Sequence, residues 1–193
     1  MRLSRRKVGQ IVGAIALVAG ALGFGGLLPG DARDSSRALP AGPYIIKSVH
    51  DGDSFNLQAK DNSTVRIRIA GIDAPEKSQP YSQKARAALQ DMLNSGPIRL
   101  EPVTLDRFDR WVANVYINDT DVGLAMVNQG WAWYFRRYKD DLQTFQQIRY
   151  DMAEQTARQK RLGLWQGLDA AEKNPELAPE PPWRFRERMR KEK

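Results

Sequence analysis

The sequence predicts an α+β fold of five strands and three helices, and three observations carry that prediction. Short runs of alternating apolar and polar residues, separated by turn signals, recur between Tyr44 and Ile117. One run of helical periodicity interrupts them from Ser82, and two more follow the last strand. A chain of 193 residues with 41% hydrophobic residues has room for one domain with a proper core and too little for two large ones.

In chain order, residues 1–30 come first. The basic head MRLSRRK precedes an uncharged run from Val8 to Gly30, within which Ile11 to Leu28 is nearly all apolar or glycine. That pattern reads as a secretory signal peptide or an uncleaved N-terminal membrane anchor, and either one implies an exported domain: secreted, periplasmic or held to the membrane by this segment. Residues 31–43 form a polar linker, and 44–168 hold the folded domain.

Within the domain, Tyr44 to Val49 and Ser54 to Leu57 read as a hairpin turned by Asp51-Gly52-Asp53. After a second turn at Asp61-Asn62-Ser63, Val65, Ile67 and Ile69 alternate with Arg66 and Arg68, so one strand face is buried and the other presents guanidinium groups. Gly71 relaxes the backbone and Pro75 stiffens it, leaving Asp73 and Glu76 on a constrained turn beside those arginines. Ser82 is the expected cap of a helix carrying Ala85, Ala88, Leu89, Met92 and Leu93 on one face, ended by Ser95-Gly96-Pro97. Ile98 to Thr104 and Val112 to Ile117 are the fourth and fifth strands, joined by LDRFDRW.

Asp121 is the expected cap of a short helix with Leu124, Met126 and Val127, stopped by Gly130. A long helix from Leu142 to Lys160 places Phe145, Ile148, Met152 and Ala153 on its core face. Residues 169–193 turn proline-rich and then arginine-rich, an extended linker and basic tail. Trp183 and Phe185 in that tail are read first as packing on the domain, with stacking on bases as the alternative. One helix between the third and fourth strands and two after the fifth is compatible with a five-stranded Greek-key barrel of the OB type.

The formal net charge of +7 is not a nucleic-acid signature, because it sits at the two ends. The first seven residues carry +4 and the last ten another +4, which leaves the body near neutral. The absence of cysteine excludes thiol catalysis and cysteine metal sites. His50, the sole histidine, reads as a strand-end residue beside a turn, and it leaves histidine-ligated zinc and histidine triads nothing to build on.

Four motifs go further: DGD at Asp51 to Asp53, RIAGIDAPE at Arg68 to Glu76, DRFDR at Asp106 to Arg110, and GLW at Gly163 to Trp165. In order and approximate spacing they resemble the staphylococcal nuclease (thermonuclease) family, over roughly Tyr44 to Gly167. The resemblance implies calcium-binding carboxylates at Asp53 and Asp73, with the main-chain carbonyl of Ala74 as third ligand where the family often has threonine. It implies catalytic arginines at Arg68 and Arg110, a catalytic glutamate at Glu76, and at Tyr138 a family tyrosine that packs near the nucleotide. The loop between Glu76 and the first helix looks shorter than in the staphylococcal protein, which bears on substrate preference rather than on chemistry.

The residue types suit that assignment. Hydrolysis of a phosphodiester needs its oxygens neutralised, a water activated, and extra charge stabilised in the transition state. Carboxylates with a carbonyl suit a hard cation such as Ca2+, arginines donate planar forks to phosphoryl oxygens, and a glutamate can accept or orient a water proton. The implied activity is a calcium-dependent nuclease acting as a monomer on DNA and RNA with low sequence specificity, leaving 3′-phosphates. Two rivals are an OB-type module that binds nucleic acid or another polyanion without cutting it, and an envelope-associated structural protein.

Overall fold

The computed structural model describes residues 38–192. The segment expected as a signal peptide or anchor, most of the expected linker and the last residue lie outside them. Among the described residues no helix is long and apolar enough to cross a membrane.

The five expected strands form as β1 (Ile45–Val49), β2 (Ser54–Gln58), β3 (Thr64–Ile69), β5 (Ile98–Leu105) and β6 (Trp111–Ile117). Three strands of two residues join them: β4 (Ile72–Asp73), β7 (Thr120–Asp121) and β8 (Trp133–Tyr134). The main sheet runs β1-β2-β3-β6-β5, with β7 on β6, while β4 and β8 pair separately. All ladders are antiparallel except β3 with β6, where Ile67 lies opposite Trp111 and Ile69 opposite Ala113. A parallel pair needs a long crossover, and α1 (Ser82–Leu93) and β5 supply it.

The sheet follows the alternation in β2 and β3. Phe55 faces Ile67 and Leu57 faces Val65, all buried, whereas Asn56 and Arg66 pair on the other face. Each of those apolar side chains contributes about 1.5 to 3 kcal/mol of transfer free energy. Ala85, Leu89 and Leu93 of α1 close over the same core.

Four expectations need correction. The expected barrel is not closed: among the described residues no ladder joins β1 to β5. The β5 ladder is irregular between Pro102 and Thr104, where Pro102 has no N–H to give and Val103 is exposed. Among the described residues there are five α-helices rather than three, since α4 (Gly167–Ala170) and α5 (Pro182–Lys191) follow α2 (Val122–Asn128) and α3 (Thr144–Gln159). The segment expected as extended linker and basic tail therefore holds a ten-residue helix. Pro182 starts it at the first helical position, where the missing N–H costs nothing. Ser82 does not cap α1; Tyr81 stands there in left-handed backbone at φ 68°, and the Ser82 hydroxyl donates to the Lys77 carbonyl at 3.0 Å.

The last correction is the face of α3. Phe145, Ile148 and Met152 are exposed, and the buried row is Gln146, Tyr150, Ala153, Glu154 and Ala157. Polar members of that row satisfy donors of neighbouring elements: Glu154 accepts from the Tyr134 N–H at 3.1 Å and from Arg136 at 2.8 Å. The Tyr150 hydroxyl donates to Asp121 at 2.8 Å. Asp121 in turn caps α2 as expected, accepting from the Leu124 N–H at 3.0 Å.

Candidate active site

The site begins at the first hairpin turn. Asp51 Oδ1 accepts from the N–H groups of Asp53 and Ser54, at 2.9 and 2.7 Å, and from the Ser54 hydroxyl at 2.8 Å, which locks the turn and aims Asp53 inward. Gly52 must be glycine there: a Cβ would lie 2.7 Å from the Ala74 methyl and 2.9 Å from that of Ala85. Asp53 is thereby held against the chain after β4, and its Oδ2 accepts from the Ala74 N–H at 2.9 Å.

Arg68 faces it from β3. One Nη donates to Asp53 Oδ1 at 2.7 Å; the other reaches the Ile72 carbonyl at 3.1 Å and Asp73 Oδ1 at 3.2 Å. Asp73 arrives because Gly71, at φ +71°, reverses the chain between β3 and β4, and the pairing of β4 with β8 then holds it opposite Trp133. Glu76 lies on the loop beyond Pro75, half-buried, its N–H bonded to Gln79 Oε1 at 2.9 Å.

Four of the expected residues, Asp53, Arg68, Asp73 and Glu76, thus join one cluster, and Ala74 lines it through its backbone. Arg110 is placed nearby by the parallel ladder, immediately before Trp111, but its guanidinium is held by Asp106 at 2.9 and 2.7 Å and not by the cluster. Tyr138 is exposed and meets the ring of Phe135 edge-on, with centroids 5.1 Å apart. Sequence reasoning missed Arg186 of α5, which donates to Asp73 Oδ2 at 2.7 Å, Asp73 Oδ1 at 3.3 Å and Glu76 Oε1 at 2.6 Å. It also missed Gln79, whose amide donates to the Glu180 carbonyl at 2.8 Å. The signal for Arg186 was present in Pro182 as a helix start, which sets Trp183 and Arg186 one turn apart on one face.

Burial raises Asp53 from its ordinary 3.8 to about 6, although the Arg68 charge pulls the other way. Asp73 is raised by the same cause, against the bonds from Arg186 and Arg68. Burial of the two carboxylates thus outweighs the guanidinium groups of Arg68 and Arg186 that face them. Among the described residues no group of three or more histidine, aspartate or glutamate side chains could hold a metal. The donor set of Asp53, Asp73 and the Ala74 carbonyl is smaller than that, all-oxygen and buried, and it fits a hard divalent cation completed by water.

Comparison with known proteins gives this chemistry its class. Residues 66–167 match the family described as staphylococcal nuclease homologue. A protein of Haemophilus influenzae named uncharacterized endonuclease is 35% identical over 144 residues, covering 75% of this chain and 74% of its own. The micrococcal nuclease of Shigella flexneri is 31% identical over 152 residues, 73% of this chain and 78% of its own. Staphylococcal-like nuclease CAN1 of Arabidopsis thaliana is 35% identical over 148 residues, 76% of this chain and 41% of its own. The class is that of the nucleases, which are hydrolases. Within it, the chain belongs to the staphylococcal nuclease family.

Proposed function

We propose that this nuclease is exported and calcium-dependent, and that it hydrolyses phosphodiester bonds of DNA and RNA with little sequence preference, leaving 3′-phosphates. The observation that carries the reading is the convergence of Asp53, Arg68, Asp73 and Glu76 from three separate chain segments onto one partly buried cluster. Export rests on the basic head and apolar run of residues 1–30.

Asp53, Asp73 and the Ala74 carbonyl would hold the cation, which supplies charge neutralisation and polarises a phosphoryl oxygen when bound. Glu76 accepts the proton of the attacking water, or orients that water, from the rim of the cluster. Arg68 donates to a non-bridging oxygen, and Arg110, one residue before the β6 ladder begins beside β3, donates to another as it exchanges Asp106 for phosphate. Donors that bind the five-coordinate transition state more tightly than the ground state raise the rate by on the order of 10² to 10³ each. Breaking the bond between phosphorus and the 5′-oxygen leaves the phosphate on the 3′ side.

Digestion of single-stranded DNA and RNA, with calcium and with excess chelator, tests this alongside Glu76→Gln and Arg110→Ala. The expected result is calcium-dependent cleavage that each substitution lowers by at least about tenfold. Binding of nucleic acid by the folded wild type without cleavage would replace the enzyme with the binding module.

A further inference from the structure

Arg186 meets the carboxylates of Asp73 and Glu76 with both of its terminal nitrogens. Arg68 also bonds Asp73 Oδ1, so both oxygens of Asp73 accept from guanidinium groups. Oxygens engaged in this way have little left to offer a cation, and the Glu76 oxygen bonded to Arg186 is taken from any water. We propose that α5 is an autoinhibitory strap, in which Arg186 acts as an internal cation on Asp73 and Glu76 and must let go before a divalent cation and a phosphodiester can bind. The proposal rests on the nuclease reading for what the strap excludes.

The rest of α5 is arranged to hold that guanidinium in place. One turn before Arg186, Trp183 stacks on Phe135 at 5.2 Å between centroids and 21° between planes, and it packs against the cluster of Trp133, Leu164 and Trp165. The chain entering the helix is tied to the site: Gln79 bonds the Glu76 N–H with its oxygen and the Glu180 carbonyl with its amide. Upstream, the Leu177 carbonyl crosses Gly167 so closely that a Cβ there would lie 2.2 Å away. From the first tether the chain runs through the second into the helix as Pro179-Glu180-Pro181-Pro182, a stiff lead that cannot coil and therefore positions the helix as a unit.

The contact is also suited to release. The Arg186 side chain is 42% exposed and that of Glu76 38%, so water can replace the bond between them at little cost. The Asp73 end is buried, so a cation of higher charge competes there directly with Arg186 for the same oxygens. An internal ligand that occupies the site weakens the apparent affinity for a cation in proportion to the fraction of molecules in which it has let go, so a strap closed in nine molecules of ten costs about tenfold.

The test uses the full-length chain as wild type, Arg186→Ala and Arg188→Ala. Arg188 lies on the same helix but bonds Glu180 and Glu192 instead of the site, so its variant controls for loss of a helix charge. Calcium binding is measured by calorimetry without nucleic acid, trypsin cleavage within residues 184–191 is timed with and without calcium, and initial rates on single-stranded DNA are taken at limiting calcium. Arg186→Ala should bind calcium about tenfold more tightly and cleave DNA correspondingly faster, with Arg188→Ala like wild type. Calcium should also speed tryptic cutting of α5 in the wild type. Unchanged calcium affinity in Arg186→Ala, or no calcium binding by any form, overturns the strap. Slower DNA cleavage at unchanged affinity also overturns it and makes Arg186 a phosphate-binding group. Tighter calcium binding in Arg186→Ala with no cleavage by any form upholds the strap and refutes the nuclease reading.

Discussion

Replacing Arg68 by alanine should destabilise the calcium-free protein by an amount that depends on pH. Arg68 is the counter-charge of Asp53 at 2.7 Å, and the side chains concerned are 19% and 5% exposed. Breaking a buried pair by removing one partner costs about 3 to 5 kcal/mol, and partial access of water to Arg68 places this case near 3. Burial has already raised Asp53 to about 6 from 3.8, so the folded state binds its proton more tightly than the unfolded chain does. A carboxyl of that kind stabilises the fold least when ionised: its contribution is lost as pH rises from near 4 to about 6. Without Arg68 the attraction that lowers this pKa is gone, so Asp53 in the variant is protonated at pH 5 and more costly at pH 8. Urea unfolding of both proteins with excess chelator should give a difference of about 3 kcal/mol at pH 8, shrinking to roughly half at pH 5. Subtracting the wild type cancels groups that the substitution leaves alone. A difference equal at the two pH values, larger at pH 5, or below about 1 kcal/mol at pH 8 would refute the electrostatic account.

Four further substitutions test the frame around the site. Tyr150→Phe removes the buried hydroxyl bonded to Asp121 and should cost about 1 kcal/mol in chemical unfolding, since the α2 cap survives. Gly163→Ala forces a side chain at φ +54° into the Gly130 carbonyl, 2.2 Å from the new Cβ, and should cost more than about 2 kcal/mol in the same experiment. Ile148→Ser with Met152→Gln should shift stability by no more than about 0.5 kcal/mol each, because both side chains are solvent-facing; a loss of several kcal/mol would show that this face is covered in solution.

The face of α3 shows where periodicity misleads. Phe145, Ile148 and Met152 recur as a helical stripe, and burial of apolar residues is the default inference from that spacing. The fold instead turned inward the row with Gln146, Tyr150 and Glu154, because the buried Tyr134 N–H needed a partner there, and Glu154 and Tyr150 also reach Arg136 and the Asp121 carboxylate from that face. No count of hydrophobic residues along one helix contains that demand, which arises only when other elements arrive.

Local chemistry, by contrast, was legible. The alternation of Val65, Ile67 and Ile69 set which face of β3 is buried, the Asp121 cap set the start of α2, and the motifs placed Asp53, Arg68, Asp73 and Glu76 together. These depend on neighbours along the chain or on a turn of few residues. The open edge between β1 and β5, the hold of Asp106 on Arg110, and above all the arrival of Arg186 on carboxylates more than a hundred residues earlier depend on tertiary placement. By itself the sequence determined that Asp53, Arg68, Asp73 and Glu76 sit on turns and a strand end that can meet. Only tertiary packing, Trp183 on Phe135 and Gln79 on the Glu180 carbonyl, decided that an arginine close to the C-terminal end should sit among them, since a long-range ion pair leaves no periodic trace in the chain.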